Sequence, residues 1–190
     1  MIDDSSTLED VCFAVATALQ QIPVDAVLTG GSAATIYAPD AYTSADADFV
    51  LQYEVPSKDI VRALASIGFH PAPTRGMFEH PRCTFTVDFP KGPLAIGREY
   101  VRDTAVLSRG DLSLRILTPT DCVKDRLAHF FYWDDDTAFN AAVGVATSQR
   151  ANIDVTELAR WTHSESTGGV DFRPKLKRFF RTAGIERSAE

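Results

Sequence analysis

Apolar residues Leu8, Val11, Cys12, Val15, Ala18 and Leu19 recur at helical spacing behind Thr7, a residue suited to capping, and Pro23 ends the run. Residues 24–29 are a short apolar segment that suits a buried strand, after which Gly30-Gly31 forces a turn. Residues 32–38 favour a short helix stopped by Pro39. The next stretch, 39–45, reads as a turn, and 46–53 return to strand composition. After Pro56, Ser57 is placed to cap an amphipathic helix with Ile60, Val61, Leu64 and Ile67 on its inner face and Gly68 at its end. The stretch 70–81, with three prolines and a glycine, reads as a loop. Residues 83–89 alternate: Cys83, Phe85, Val87 and Phe89 share one face, Thr84, Thr86 and Asp88 the other. That is a strand with one polar face, closed by Pro90.

Segments 104–107 and 112–117 flank Arg109-Gly110-Asp111 and predict a hairpin. From Thr118 the character turns helical, with a capping residue, Pro119 at the first helical position and Asp121 three residues after the cap. Further helices are expected over 136–148, 154–163 and 174–183. The fold class is therefore α+β: a mixed β-sheet flanked by helices over 1–117, then a C-terminal helical region over 118–190 packed on that core. No internal repeat or low-complexity segment interrupts it.

Composition narrows the picture. The chain has 190 residues, 45% hydrophobic and 24% charged, which implies a packed core in one domain or in a core with an appendage. A net charge of -7 argues against a dedicated nucleic-acid binder, while leaving room for a local basic patch. Cys12, Cys83 and Cys122 are too few and too scattered for a disulfide framework or zinc ribbon, and read as reduced thiols. The start, Met-Ile-Asp-Asp-Ser-Ser, lacks a signal-peptide pattern, and no apolar run approaches the roughly 20 residues that span a membrane. A soluble, cytoplasmic protein is expected.

The chemistry concentrates in Leu28-Thr29-Gly30-Gly31-Ser32-Ala33 and Ser44-Ala45-Asp46-Ala47-Asp48-Phe49. A buried strand ending in two glycines and a serine, then a helix, makes an anion site: glycine lets the backbone approach closely, and the helix N-terminus offers unpaired N–H groups. It is neither a P-loop nor a dinucleotide fingerprint, since the GK[ST] ending and GxGxxG spacing are absent. Asp46 and Asp48 are two apart in a strand, so both project from one face with Cα atoms about 6–7 Å apart. Carboxylates so placed can embrace two divalent ions about 3.5–4 Å apart, the arrangement used for phosphoryl chemistry. Two aspartates on a strand bound for a core are costly unless something positive meets them. Asp88, on the polar face of a later strand, would complete a three-carboxylate cluster if the strands are neighbours. Taken singly, each of these features is also explained by a tight turn or a solvated strand end. Their joint order favours a metal–nucleotide site.

The ordered pattern Gly30-Gly31-Ser32, Asp46-Ala47-Asp48 and Asp88 resembles the nucleotidyltransferase superfamily with a polymerase-β-like core. The length and trailing helices look most like the minimal nucleotidyltransferases related to the AbiEii toxin group. The resemblance covers the first half of the chain well and is looser beyond residue 117. It implies that Gly30, Gly31 and Ser32 bind the nucleotide phosphates. Asp46 and Asp48 would hold two magnesium ions, with manganese as a substitute, and Asp88 would ligate metal or help activate the acceptor hydroxyl. Val123-Lys124-Asp125-Arg126-Leu127-Ala128 resembles the family helix whose basic residue faces the triphosphate, and either Lys124 or Arg126 suits that position. Ser44 stands where many relatives have threonine. The activity implied is transfer of a nucleoside monophosphate from a nucleoside triphosphate to a hydroxyl of an RNA, a protein or a small molecule. A toxin of a toxin–antitoxin pair is a narrower form of that reading, and a non-catalytic nucleotide-binding or regulatory module is the alternative.

Other features carry less. His70, His80, His129 and His163 lack metal-ligand spacing, although His129 follows Asp125 by one helical turn and would share its face. Trp133-Asp134-Asp135-Asp136 suits a turn whose aspartates cap the next helix. The basic stretch 173–181 suits a final helix docking Leu176, Phe179 and Phe180 on the body as well as it suits an RNA or acidic partner, and docking is favoured.

Overall fold

The computed structural model describes residues 2–52, 56–74 and 76–185. Helix α1 (Leu8–Leu19) opens with a capping box: Thr7 Oγ1 accepts from the Asp10 N–H, and the Asp10 carboxylate accepts from the Thr7 N–H. Strand β1 (Ala26–Thr29) runs directly into helix α2 (Gly30–Tyr37), and β2 (Asp46–Leu51) returns antiparallel to β1. The expected continuation of that strand to Tyr53 lies outside the described residues. Helix α3 (Ser57–Ala65) begins at Ser57 itself. Pro56 occupies the cap position without a side-chain hydrogen bond, so Ser57 is the first helical residue and not the cap.

The stretch expected to be a loop, 70–81, contains two short antiparallel strands, β3 (His70–Pro71) and β4 (Met77–His80). Pro71 fits there because β3 is the outermost strand, where a missing N–H is tolerated. β5 (Cys83–Asp88) is the alternating strand. β6 (Ala95–Ile96) and β7 (Glu99–Tyr100) form a separate small hairpin that the hydrophobic pattern does not suggest. The anticipated hairpin is β8 (Thr104–Arg109) with β9 (Leu112–Leu117). The main sheet runs β3-β4-β5-β2-β1-β9-β8 and is mixed: β2 pairs parallel with β5, and β1 parallel with β9. β2, bearing Asp46 and Asp48, thus lies between β1 and β5.

Four α-helices follow among the described residues: α4 (Pro119–Trp133), α5 (Asp136–Ser148), α6 (Val155–Glu165) and α7 (Arg173–Thr182). Thr118, Asp135 and Asp154 cap the first three through their side chains. α2 packs against β2, α4 and α5, so the turn at its start is pinned between the sheet and the later helices. One hydrophobic cluster takes in α1, the central strands and the buried residues of α4 to α7, including Leu176, Phe179 and Phe180. Within it Phe131 stacks between Trp161, at a centroid separation of 5.5 Å, and Phe172, at 4.9 Å. Lys175 donates to the Phe130 and Phe131 carbonyls at 2.9 and 2.8 Å, satisfying the open end of α4. The three cysteines are free, and burial pushes the Cys12 and Cys122 thiols upward, away from reactivity. Among the described residues no helix is long and apolar enough to cross a membrane.

Phe131 is the keystone of that aromatic stack. Phe131→Ala is expected to destabilise the protein by about 3–5 kcal/mol. Chemical denaturation followed by far-UV circular dichroism checks this, and a loss below about 1 kcal/mol would mean the stack relaxes around the gap.

Candidate active site

Strand β2 alternates as its sequence requires. Ala47 and Phe49 are fully buried, while Asp46 and Asp48 are half-buried on the other face and line a cleft of about 400 Å³. The Gly30-Gly31 turn forms an adjoining part of the wall. Gly30 has φ +66°, a left-handed conformation that favours glycine, and a Cβ there would run into the Asp48 carboxylate. At Gly31 an added Cβ would come within 2.9 Å of the Tyr42 hydroxyl and 3.0 Å of Ser44 Oγ. Thr29, at the cap position of α2, makes no side-chain cap hydrogen bond, so the first turn of the helix offers its N–H groups at this point. Ser44 donates to Asp46 Oδ1 at 2.8 Å and orients that carboxylate.

Ser32 does a different job from the one its motif position implies. It is fully buried, and its hydroxyl donates to the Thr29 carbonyl at 2.7 Å and accepts from the Asp48 N–H at 3.1 Å. It ties the turn to the acidic strand and does not line the cleft. Asp88 sits opposite Asp48 in the parallel β2–β5 register, so the two share a face of the sheet. Its Oδ1 accepts from the Phe89 N–H at 2.7 Å, and it lies outside the cleft lining.

The two basic residues of α4 part company. Arg126, 9% exposed, lines the cleft, with its Nε and Nη2 both on Asp125 Oδ2 at 2.9 and 2.6 Å. Burial works against its charge, Asp125 more than offsets this, and the guanidinium is held above its usual range. Lys124 is not brought to the carboxylates. Its ammonium is gripped by Asp121 at 3.1 Å and Glu157 at 2.5 Å, in a separate cavity of about 800 Å³ behind the β6–β7 hairpin. Helical geometry explains the split, since residues two apart on a helix point in widely different directions. His129, one turn beyond Asp125, also lines the cleft. The hydrophobic pattern gave no sign of Tyr42 or Lys91, which complete the wall from a turn and from the β5–β6 loop. The only cue for Tyr42 was an aromatic in a polar turn between two glycine- and aspartate-bearing segments.

Asp48 reports the electrostatics. Burial first, then the like charges of Asp46 and Asp88, push its carboxyl up from 3.8 to about 7. A carboxylate crowded in this way is a good host for a cation. Among the described residues no three His, Cys, Asp or Glu side chains gather closely enough to hold a metal by themselves. Two carboxylates in one cleft still suit magnesium, which usually binds through one or two carboxylates together with substrate phosphates and water.

The raised value has a sign. Between pH 4 and 7 the folded Asp48 keeps a proton that the unfolded chain has released, so this group subtracts stability as pH rises through that window. In metal-free protein, Asp48→Asn is expected to be more stable than wild type at pH 7.5, with the gap shrinking towards pH 4. Melting temperatures in the presence of chelator test this, and a gap independent of pH would rule out Asp48 as the strained group.

No protein-family profile matches the chain, and no curated protein matches it significantly. Solved structures do. The fold is similar to the crystal structure of an antigenic nucleotidyltransferase-like protein from Paracoccidioides brasiliensis, with a TM-score of 0.57 at 13% identity over 95% of this chain and 94% of that one. It is also similar to the solution structure of the antibiotic-resistance factor ANT(2'')-Ia, with a TM-score of 0.50 at 10% identity over 96% of this chain and 100% of that one. At these identities the likeness is one of architecture: the chain has a nucleotidyltransferase-like α+β fold, a mixed sheet flanked by helices.

Proposed function

We propose that the protein is a metal-dependent nucleotidyltransferase, moving a nucleoside monophosphate from a nucleoside triphosphate to an acceptor hydroxyl and releasing pyrophosphate. The observation that carries this reading is that Asp46, Asp48, the Gly30-Gly31 turn and Arg126 all line one cleft. Asp46 and Asp48 would hold two magnesium ions, or manganese in their place, together with substrate phosphates and water, and Asp88, on the same face of the sheet, would be the base for the acceptor. The bound metal would neutralise charge growing on the α-phosphate.

The chain's own contribution is positioning and charge. The uncapped N–H groups at the start of α2 receive phosphate oxygens, and the two glycines let those oxygens come close. Arg126, one edge of which is held by Asp125, offers its remaining N–H groups and its charge to the leaving pyrophosphate. The acceptor oxygen bonds to the α-phosphorus as the bond from that phosphorus to the bridging oxygen breaks. The hydroxyl proton passes to a carboxylate on the acidic face, for which Asp88 is the assigned residue. The narrower kinship with the AbiEii toxin group, and with it a place in a toxin–antitoxin pair, is supported by motif order and chain length alone. A cytoplasmic setting belongs to the same proposal, since nucleoside triphosphates and reduced thiols occur together there.

Incubation with each α-labelled triphosphate and magnesium or manganese, with RNA, protein and small-molecule fractions as acceptors, is expected to give labelled product. Asp46→Asn combined with Asp48→Asn should abolish transfer and leave the circular dichroism spectrum unchanged. Normal labelling by that double variant would overturn the mechanism. Magnesium-dependent triphosphate binding without labelling of any acceptor would instead support the binding-module alternative. Arg126→Met is expected to weaken triphosphate binding about 10- to 100-fold, the usual worth of a charge-assisted contact. Lys124→Met should leave binding within about twofold, judged by titration of folded protein.

A further inference from the structure

We propose that Tyr42 is a phosphate-binding residue of this cleft, its phenolic hydroxyl donating to a non-bridging oxygen of the triphosphate held over Gly31. This rests on the cleft being a triphosphate site. Tyr42 lies in the turn between α2 and β2 and is half-buried, with its ring packed against the core and its hydroxyl end lining the cleft. A Cβ at Gly31 would collide with that hydroxyl, at 2.9 Å, and press on Ser44 Oγ, at 3.0 Å, so the phenol end lies directly against the Gly31 backbone. Ser44 is committed to Asp46. The Tyr42 hydroxyl makes no hydrogen bond to any other described residue. A phenol at the edge of a polar cleft, with its ring fixed and its donor uncommitted, is arranged to meet an acceptor that arrives with a ligand.

Its neighbours say which acceptor. Gly31 contributes backbone at the uncapped start of α2, where partial positive charge accumulates. The Arg126 guanidinium lies within electrostatic reach of the Tyr42 oxygen. A main-chain donor, a guanidinium and a phenolic hydroxyl on the wall of one cleft match an anionic oxygen better than a base edge or a sugar. Asp46 lines the same cleft, so an oxygen bound by Tyr42 would belong to the same phosphate chain whose metal the carboxylates would hold.

Tyr42→Phe removes the donor and keeps the ring, so folding should be untouched. Titration calorimetry with magnesium and each nucleoside triphosphate, and in parallel with magnesium and inorganic tripolyphosphate, is expected to show affinity lower by about 10- to 100-fold for every probe alike. In turnover KM for the triphosphate should rise by the same factor with kcat unchanged. The melting temperature without ligand should not move. Undiminished affinity in the variant, with wild type binding normally, would overturn the role of Tyr42 alone. A loss seen with nucleotides but absent with tripolyphosphate would also overturn it, because the hydroxyl would then be reading sugar or base. Wild type that binds none of the probes would remove the triphosphate reading itself.

Discussion

The arrangement turns on crowding negative charge onto one face of a central strand. Asp48 is held there by bonds it did not choose. Its N–H is fixed by Ser32, its carbonyl accepts from Thr29 Oγ1 at 3.3 Å, and β2 is paired on both sides. The parallel pairing with β5 then sets Asp88 opposite it. Isolated carboxylates in water would drift apart, but a sheet register does not yield to a repulsion of this size. Burial first, and then this repulsion, therefore appear as a displaced proton affinity. Local discomfort of this kind is tolerable because the remainder of the sheet and the helices behind it form one hydrophobic cluster.

Much of the fold was readable because its signals are local. Thr7, Thr118 and Asp135 announce helix starts through hydrogen bonds made within three residues. The alternation from Cys83 to Asp88 names its own polar face. What escaped depends on partners far along the chain. β3 and β4 are strands only because β5 offers an edge to pair with, and two-residue elements such as β6 and β7 have no period to detect. Ser57 failed as a cap for a local reason, since the helix simply starts one residue earlier than a Ser cap would allow.

The site divides along the same line. Asp46 and Asp48 were legible because period two puts them on one face whatever surrounds them. The choice between Lys124 and Arg126 was not, because it depends on which side of α4 meets the carboxylates, and that is settled by how α4 packs on α2 and β9. Ser32 illustrates the converse. Its spacing fits a ligand-binding turn, yet burial and the neighbouring strand recruit its hydroxyl as an internal fastener. Tyr42 had no period, cap or pair to advertise it.

The start of α2 is made of two glycines and main-chain N–H groups, and its serine faces inward. Such a surface can feel only negative charge and size. On the proposed reading it would be blind to whether a purine or a pyrimidine hangs at the far end of a phosphate chain. On the same reading, any selectivity among nucleobases would lie elsewhere along the cleft, whose wall also includes Pro90, Lys91, Pro93, Leu94 and Ala95.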